Sequence, residues 1–280
     1  MINTAPEKQR VTVVGGSGFI GTNLCRILDS AGVDFEIIDL KQSRSFPGKT
    51  KIADIRDIET LQNTISGQIL INLAAVHRDD IWDRSEYYTT NVDGTRNLTK
   101  IANERGISRI IFTSTVAVYG FAPANTNELG AINPFNDYGK SKYEAEKVLR
   151  DWHAADPEAR HLLVVRPTVV FGEGNRGNVY NLIHQITSGK FVMIGDGKNK
   201  KSMAYVGNVA RFLFHLINNE NGSQIYNYVD QPDLDMNTLV GKIRSTFFGK
   251  AIIGFRLPYL LGITVGYVFD GIARFTRRQL

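Results

Sequence analysis

A glycine-rich turn directly follows the first apolar run of the chain, and this feature constrains the fold more than any other. The run Arg10–Val14 predicts a buried strand, and the turn after it has glycines at Gly15, Gly18 and Gly21. Such a turn brings bare backbone close to a diphosphate, and its last glycine lets a helix pack tightly on the sheet. A helix beginning at Phe19 would direct its positive N-terminal end at the phosphates. The pattern therefore predicts a dinucleotide site at the start of a parallel sheet.

Short apolar runs alternate with helical patterns through about the first 170 residues. Apolar runs without regular polar alternation are typical of strands buried on both faces of a parallel sheet. The predicted strands are Arg10–Val14, Phe35–Asp39, Ile69–Leu73, Ile110–Ser114 and Leu162–Arg166. The predicted helices lie near Phe19–Ser30, Ile58–Ile65, Tyr87–Arg105 and Tyr138–His153. This alternation predicts an α/β fold, with a doubly wound parallel sheet of the Rossmann type.

The pattern changes after Phe171, where glycines separate shorter elements. A helix is predicted near Asn208–Asn218 and a strand near Gln224–Tyr228. We therefore predict a nucleotide-binding domain over residues 1–171 and a smaller, irregular substrate lobe over residues 172–280.

An acidic residue, Asp39, ends the second predicted strand about 20 residues after the glycine turn, as a dinucleotide site requires. Its carboxylate would accept hydrogen bonds from the adenosine ribose hydroxyls and repel a 2′-phosphate, which favours NAD over NADP. Lys41 and Arg44 lie close by in the sequence and weaken that preference, because their positive charges would attract a 2′-phosphate. The predicted cofactor residues of the turn are Gly15, Ser17, Gly18, Phe19, Ile20 and Gly21.

A phenol and an ammonium stand four residues apart at Tyr138 and Lys142, so a helix would present both on one face. The ordinary tyrosine pKa near 10 makes it a poor base at neutral pH. A cation about 6 Å away, at an effective dielectric of about 20, lowers that pKa by about two units. Lys142 alone therefore does not lower the tyrosine pKa to about 7. The positive charge of an oxidised nicotinamide ring would supply the rest of the shift. The pair is therefore predicted to act as a base when NAD⁺ is bound.

The strand predicted before this helix ends in hydroxyl side chains, at Thr113, Ser114 and Thr115. Ligands of open α/β folds bind at the carboxyl edge of the sheet, where these residues would lie. Thr115 can hold a reacting hydroxyl or share its proton with Tyr138, and Ser114 is a second, weaker candidate. Capping of the neighbouring backbone is the structural alternative for these hydroxyls.

Composition and charge exclude several other classes of protein. The single cysteine, Cys25, excludes an internal disulfide and lies in the first predicted helix, where burial is the expected role. Residues 1–10 lack the apolar core of a signal peptide. The longest apolar run, Leu257–Phe269, is shorter than the roughly 20 residues of a membrane-spanning helix. The net charge of +5 is dispersed without an aromatic-basic stripe, so we expect no nucleic-acid binding, and we expect no metal site.

Over nearly its full length the chain resembles the extended short-chain dehydrogenases/reductases, the NAD-dependent sugar epimerase and dehydratase family. The motifs that carry the resemblance are Gly15–Gly21, Asp54-Ile55, Asn72–Ala75, Asn91–Thr95, Thr113–Thr115, Tyr138 with Lys142, Arg166-Pro167 and Gly195–Gly197. The resemblance implies NAD as the cofactor, with further contacts from Asp54, Ile55, Leu73, Ala74, Ala75, Asn91, Thr113, Tyr138, Lys142 and Pro167. It also implies that Lys142 holds the nicotinamide ribose.

Departures from the family pattern narrow the reaction that the resemblance implies. Dehydratases and decarboxylases of the family carry an acidic residue where this chain has Val116 and Ala117. Members that epimerise through enolisation use a nearby cysteine or extra base, and Cys25 is elsewhere. What remains is a 4-epimerase, which oxidises one carbon and returns the hydride to its other face. A sugar oxidoreductase and a non-catalytic NAD-binding module stay open as alternatives.

Further stretches bear on the substrate. Val169 and Asn208 replace an Asn and an Asp of soluble sugar-nucleotide epimerases. The segments 77–80, 175–181, 201–208 and 226–230 resemble a bacterial subgroup of 4-epimerases that act on N-acetylglucosamine joined through diphosphate to undecaprenol, in O-antigen assembly. This implies interconversion of N-acetylglucosamine and N-acetylgalactosamine on the lipid carrier, with a soluble UDP-sugar as the alternative substrate. The predicted substrate residues are His77, Arg78, Thr115, Asn178 and Lys201.

The end of the chain suggests how such a substrate would be reached. Leu257–Phe269 is apolar almost all round and is flanked by basic residues: Lys250, Arg256, Arg274, Arg277 and Arg278. Such a segment can lie in a bilayer interface, and a buried helix closing the substrate lobe is the alternative. We expect a peripheral protein at the cytoplasmic face of the bacterial inner membrane. Family resemblance further implies a homodimer, and an incomplete substrate lobe, since relatives usually run further.

Overall fold

The computed structural model describes residues 9–78, 81–219, 221–262 and 264. Its strands, in chain order, are β1 (Val11–Val14), β2 (Phe35–Asp39), β3 (Thr50–Ile52), β4 (Ile69–Asn72), β5 (Arg109–Thr113), β6 (His161–Pro167), β7 (Val169–Phe171), β8 (Met193–Ile194), β9 (Lys200–Lys201), β10 (Met203–Tyr205), β11 (Ser223–Tyr228), β12 (Leu234–Asp235) and β13 (Arg256–Leu257). Its α-helices are α1 (Phe19–Ser30), α2 (Ile58–Thr64), α3 (Ser85–Tyr88), α4 (Gly94–Arg105), α5 (Asp137–Ala154), α6 (Asn178–Thr187), α7 (Val206–Asn219) and α8 (Met236–Phe248).

Seven of the described strands form one parallel sheet in the order β11-β6-β5-β4-β1-β2-β3. Every residue of β1 is buried, and so is every residue of β4. Burial on both faces explains why these runs lack polar alternation in the sequence. The predicted doubly wound parallel α/β sheet is therefore confirmed.

Strand register brings the functional segments to one edge of this sheet. Val14 at the end of β1 is level with Ile38 of β2 and with Asn72 of β4. Asn72 is in turn level with Phe112, one residue before the end of β5. The chain moves one way from β1 to β2 and the other way to β4, and ligands bind in the crevice at such a switch point.

Helices cover the two faces of the sheet with separate apolar clusters. On one face α1 and α7 contribute side chains such as Leu24 and Leu213 to the same cluster as Val13 of β1. On the other face α2, α4 and α5 pack with Val14 and Ile38. Cys25 belongs to the first cluster, and burial raises the pKa of its thiol to about 12. The prediction of a buried cysteine is confirmed.

The predicted helix Tyr87–Arg105 differs from the observed structure. It is divided into α3, a π-helical segment Thr89–Asp93 and α4. The wider turn places Asn91 where its side chain bonds to the backbone of Val76 and to Ser141, and such bulges often mark functional sites. The other helices and strands predicted in the first 170 residues all occur, with each end within one residue of its predicted position.

The chain divides into two units that differ from the predicted domains in one respect. The first unit contains the described residues up to Gly172 together with 204–229, and the second contains 173–203 and the described residues from Asp230 onward. Segment 204–229 returns to the first unit because α7 packs in the cluster of α1 and β11 pairs with β6. In the second unit, Ile186, Met193 and Val240 form a small apolar core.

None of the helices in the described part of the chain is long and apolar enough to cross a bilayer. Residues 263 and 265–269 of the predicted interfacial segment Leu257–Phe269 lie outside the described residues, and so do the basic residues Arg274, Arg277 and Arg278.

Candidate active site

The glycine turn between β1 and α1 leaves no room for a side chain at Gly15 or Gly21. Gly15 has a positive φ of 78°, and a Cβ atom there would lie 2.7 Å from the amide nitrogen of Ala74. A Cβ atom at Gly21 would lie 2.5 Å from the carbonyl oxygen of Gly15. Glycine is therefore required at both positions, one for backbone conformation and both for close approach.

The N-terminus of α1 suits a diphosphate. Gly18 occupies the cap position without a side-chain bond to the helix, and the first turn of α1 contains no acidic residue. The first N–H groups of a helix lack intrahelical partners and attract anions. The turn and the start of α1 also contain three predicted cofactor residues, Ser17, Phe19 and Ile20. The unpaired N–H groups at this helix end fit the phosphates of NAD.

Asp39 is held beside the same turn. Its carboxylate oxygens accept hydrogen bonds from the amide of Ser17 (3.0 Å) and the amide of Lys41 (3.1 Å). The Ser17 hydroxyl donates to the carbonyl of Lys41 at 2.8 Å. These bonds fix an acceptor at the end of β2, where the adenosine ribose of a dinucleotide would lie.

Asn72 organises the ends of two neighbouring strands. Its side-chain oxygen accepts from the amide of Ala74 (3.1 Å), and its backbone carbonyl accepts from the Thr113 hydroxyl (3.3 Å). The amide of Leu73 donates to Val14 at 2.8 Å. The predicted cofactor residues Leu73, Ala74 and Thr113 therefore lie together at the carboxyl edge, and Ala75 follows them directly.

Two predicted cofactor positions, Asp54 and Ile55, make local contacts. Arg56 donates to Asp54 through its backbone and side chain, and these bonds lower the pKa of that carboxyl. The Ile55 side chain is buried and fills the space beside Gly94, where a Cβ atom would lie 2.7 Å away. Their side chains thus shape the loop after β3. Another predicted cofactor residue, Pro167, is the last residue of β6.

Asn91 connects the cofactor edge to the catalytic helix. Its amide accepts from the Val76 nitrogen (2.9 Å) and donates to the Val76 oxygen (3.1 Å) and to the Ser141 hydroxyl (2.9 Å). The Ser141 hydroxyl donates to the carbonyl of Tyr138 at 3.0 Å. Since both N–H groups of the Asn91 amide are used, this residue positions the surrounding backbone.

Helix α5 carries Tyr138 and Lys142, the two residues predicted to act together as a base. Asn136 caps its N-terminus by accepting from the amide of Gly139 at 2.9 Å, which places Tyr138 in the first turn. Lys142 follows one turn later and is 1% exposed, with its ammonium 4.0 Å from the ring centroid of Phe112. Burial lowers the pKa of Lys142 to about 7, and the nearby Glu146 carboxylate opposes that shift. The ammonium is therefore held in a position where its charge acts strongly on its surroundings.

The hydroxyl residues after β5 have different surroundings. Thr115 accepts from the amide of Ala117 at 3.1 Å and so caps the short 3-10 helix Val116–Tyr119, a bond that does not use its hydroxyl hydrogen. Ser114 is buried and donates its hydroxyl to Glu146 at 2.5 Å. The structure thus directs the Ser114 hydroxyl to Glu146, and the role of Ser114 as a second, weaker catalytic candidate stays a prediction.

The predicted substrate residues fall in both units. His77 and Arg78 are exposed and follow the Ala75 edge, where the His77 ring lies 3.4 Å from the Ala75 carbonyl. In the second unit, Asn178 is exposed at the first position of α6, and Lys201 is in β9, paired with Leu234 of β12.

Glu146 is the site residue that sequence reasoning missed. It follows Lys142 by four residues and Tyr138 by eight, so all three share one face of α5. Its carboxylate is fully buried and bound by Arg166 of β6. The available signal was a charged residue on a helix face that must be buried, together with an arginine inside a buried strand.

Together these groups can do proton chemistry at a dinucleotide. The edge formed by β1, β2, β4 and β5 supplies a phosphate-binding turn, a ribose acceptor and a short hydroxyl segment. Helix α5 adds a phenol and a buried ammonium on one face. Bound NAD would accept and donate hydride, while Tyr138, Lys142 and Thr115 would handle the proton and orient the hydroxyl.

The chain belongs to the NAD dependent epimerase/dehydratase family, whose model matches residues 11–228. It is 48% identical to the N-acetyl-alpha-D-glucosaminyl-diphospho-ditrans,octacis-undecaprenol 4-epimerase of Escherichia coli O157:H7, over 96% of this chain and 81% of that protein. A solved UDP-glucose 4-epimerase superposes with a TM-score of 0.76 at 21% identity, covering 89% of this chain and 84% of the other. The Thermus thermophilus UDP-glucose 4-epimerase in complex with NAD gives 0.73 at 21% identity, covering 89% and 86%.

These similarities confirm the predicted family, and the family's description confirms NAD as the cofactor. The solved structures share the fold, which confirms the predicted architecture.

Proposed function

We propose that the protein is an NAD-dependent 4-epimerase that interconverts N-acetylglucosamine and N-acetylgalactosamine carried on undecaprenyl diphosphate. The observation that carries the proposal is the pairing of Tyr138 and Lys142 on α5 with Thr115 at the adjoining sheet edge. The relative with 48% identity, whose name specifies this reaction, supports the choice of substrate.

Tyr138 is the proton acceptor and donor in this reaction. It takes the proton of the sugar 4-hydroxyl as C4 is oxidised, and it returns the proton when C4 is reduced on its opposite face. Lys142 holds the nicotinamide ribose and stabilises the phenolate, which favours proton removal near neutral pH. Thr115 orients the 4-hydroxyl. His77, Arg78, Asn178 and Lys201 stay predicted contacts of the sugar diphosphate.

Val116 and Ala117 favour epimerisation over dehydration. They form the start of the short helix capped by Thr115, and neither side chain can donate or accept a proton. Elimination of water from the sugar would need an acid at this point. Cys25 is buried in the core cluster of α1, so it cannot serve as an extra base.

A paired assay tests the substrate. Purified protein is given either undecaprenyl-diphospho-N-acetylglucosamine in detergent or UDP-N-acetylglucosamine, with no added cofactor, and the galacto epimer is measured. We expect conversion of the lipid-linked sugar alone. Conversion of the UDP-sugar alone would contradict the lipid-linked proposal and favour the soluble alternative. Release of NADH with a keto-sugar would instead indicate an oxidoreductase, and binding of NAD without any conversion would indicate a non-catalytic module.

We also propose that the second unit contacts the anionic face of a bilayer, at the cytoplasmic side of the inner membrane. Large apolar side chains are exposed at the end of α8 and beyond: Phe247, Phe248, Ile252, Phe255, Tyr259, Leu260 and Leu261. Between residues 236 and 262 the chain has four basic residues and no acidic one, namely Lys242, Arg244, Lys250 and Arg256. Exposed apolar groups with basic neighbours suit an interface with anionic lipid.

Vesicle sedimentation tests this surface. We expect the protein to sediment with phosphatidylglycerol vesicles and much less with pure phosphatidylcholine vesicles, because cations add about 1 kcal/mol each at an anionic surface. The double variant Phe247→Ser/Phe255→Ser should reduce binding by about tenfold or more, through loss of buried apolar area. Leu129→Ser removes an even more exposed apolar side chain (92%, against 61% for Phe247 and 68% for Phe255) from the first unit and serves as the control. Equal loss in both variants would contradict the assignment of the surface.

Two copies are further proposed to pair through α4 and α5, as helix pairs do in family members. The support is analogy, and sedimentation velocity of the purified protein distinguishes a dimer from a monomer.

A further inference from the structure

The carboxylate of Glu146 joins three elements beneath the candidate active site. One oxygen accepts from the Ser114 hydroxyl (2.5 Å) and the Arg166 Nε (2.9 Å). The other accepts from the Arg166 Nη2 (2.6 Å) and the Arg150 Nη1 (3.3 Å). Glu146 is on α5, Ser114 follows β5 and Arg166 is in β6. A buried carboxylate needs such a full set of donors, and together they fix these three elements to one another.

Arg166 extends the network to the far end of the short 3-10 helix. Its Nη1 donates to the Tyr119 hydroxyl at 2.6 Å, and its guanidinium carbon lies 5.0 Å from the Tyr119 ring centroid. The Tyr119 hydroxyl donates in turn to the side chain of Asn227 at 2.8 Å. Arg166 is itself 2% exposed and Glu146 is fully buried, so the ion pair at the centre of the network is shielded from water.

The segment 114–119 is therefore tied at both ends to the same ion pair. Ser114 binds the carboxylate, and Tyr119 binds the guanidinium. Thr115 lies between the two ties, next to Ser114. The carboxylate that holds this segment belongs to the helix that presents Tyr138, on the same face and two turns later.

We propose that Glu146 and Arg166 are positioning residues that hold Thr115 in register with Tyr138, and that Ser114 is the link by which they do so. The inference rests on the proposed roles of Thr115 and Tyr138 in orienting and deprotonating the sugar hydroxyl. Ser114 contributes through Glu146 and does not touch the substrate. Reaction rates depend steeply on such alignment, since a displacement of about 1 Å can cost about a hundredfold in rate.

A second ion pair with a buried carboxylate, formed by Glu36 and Lys51, serves as a matched control because we assign it no role in the reaction. Glu36 of β2 is 1% exposed and accepts from the Thr12 hydroxyl (2.7 Å), the Ser66 hydroxyl (2.7 Å) and Lys51 (2.8 Å). This network ties β1 and β2 to the loop after α2, and none of its members belongs to the segment 114–119 or to α5. Thr12→Val and Ser114→Ala each remove one hydroxyl from a buried carboxylate.

Hydrogen exchange tests the bond from Ser114 to Glu146 independently of the substrate. In Ser114→Ala the amides of Ala117 and Val118, which bond to Thr115, should exchange about tenfold faster or more, as local opening becomes easier. In Thr12→Val these two amides should keep the exchange rate of the unsubstituted protein. Unchanged exchange in Ser114→Ala would overturn the proposal, even if no sugar is epimerised and the proposed function fails.

Steady-state kinetics then test whether the tie matters for the reaction, on the sugar that the unsubstituted protein converts. We expect Ser114→Ala to lower kcat by about 10- to 100-fold, with KM and NAD affinity changed less than about twofold. Thr12→Val should keep kcat within about twofold, although the same kind of bond is lost. Equal kcat in both variants would overturn the positioning role. An altered midpoint in the kcat pH profile of Ser114→Ala would also overturn it, because that result makes Ser114 part of the proton transfer.

Discussion

The Tyr138→Phe protein is expected to fold and bind NAD normally while its turnover falls by about 10³- to 10⁴-fold. The substitution removes one oxygen atom from a ring in the first turn of α5 and leaves the cap at Asn136 in place. Without the phenol, no group at this point can take the proton of the 4-hydroxyl. Initial rates with the converted sugar, together with a titration of NAD, measure the two effects separately.

Tyr143→Phe is the matched control for this experiment. Tyr143 is on the same helix and also lies near cations, with Lys147 and Arg150 at 5.6 and 5.1 Å from its ring centroid. Loss of its hydroxyl should leave turnover within about twofold, because this half-buried side chain has no assigned role in the reaction. Full activity of Tyr138→Phe would remove the proposed base from the mechanism.

Lys142→Met should abolish measurable turnover and, in protein freed of nucleotide, raise the free energy of unfolding by about 1–4 kcal/mol. The ammonium is 1% exposed, and its burial lowers the pKa to about 7, so folding removes a charged group from water at a cost. Methionine fills a similar volume without that charge. Loss of the proposed ribose contact, and of the charge one helical turn from Tyr138, removes the catalytic contribution that we propose for Lys142.

The stabilisation should depend on pH in a defined direction. The unfolded lysine binds its proton more tightly than the folded one, so the cost of burying Lys142 is complete below about pH 7. It declines as the pH rises toward the ordinary lysine pKa near 10.4. Urea denaturation at pH 6.5 and pH 9 should therefore give a larger gain for Lys142→Met at the lower pH. An equal gain at both pH values would show that burial of the charged Lys142 ammonium is not the cause.

Much of the first unit could be predicted from the sequence, because short local patterns specify it. The glycine turn, the apolar run that precedes it and the acidic end of β2 are each contained in a few residues. Burial on both faces makes strands such as β1 and β4 visible as mostly apolar runs without regular polar alternation. Tyr138 and Lys142 were visible for the same reason, since helical spacing alone puts them on one face.

The remaining features depend on contacts between distant parts of the chain. The buried role of Ser114 follows from Glu146, which is 32 residues away, and hydroxyl residues at a strand end look alike whether or not they meet a carboxylate. The π-helical segment follows from the bonds of Asn91 to Val76 and Ser141. The return of β11 to the sheet depends on pairing with β6 in parallel, and no local pattern specifies that partner.

The interleaving of the two units limits how this protein can be divided or recombined. A fragment cut near residue 171 would lack β11 and α7, and would expose the apolar side of α1 that α7 covers. A self-standing nucleotide module would have to run to residue 229, with 173–203 replaced by a short linker. Grafting the second unit from a relative would likewise require two separate segments to be exchanged together. An addition at the end of the chain would therefore reach only the segment that begins at Asp230 and would leave the segment 173–203 unchanged.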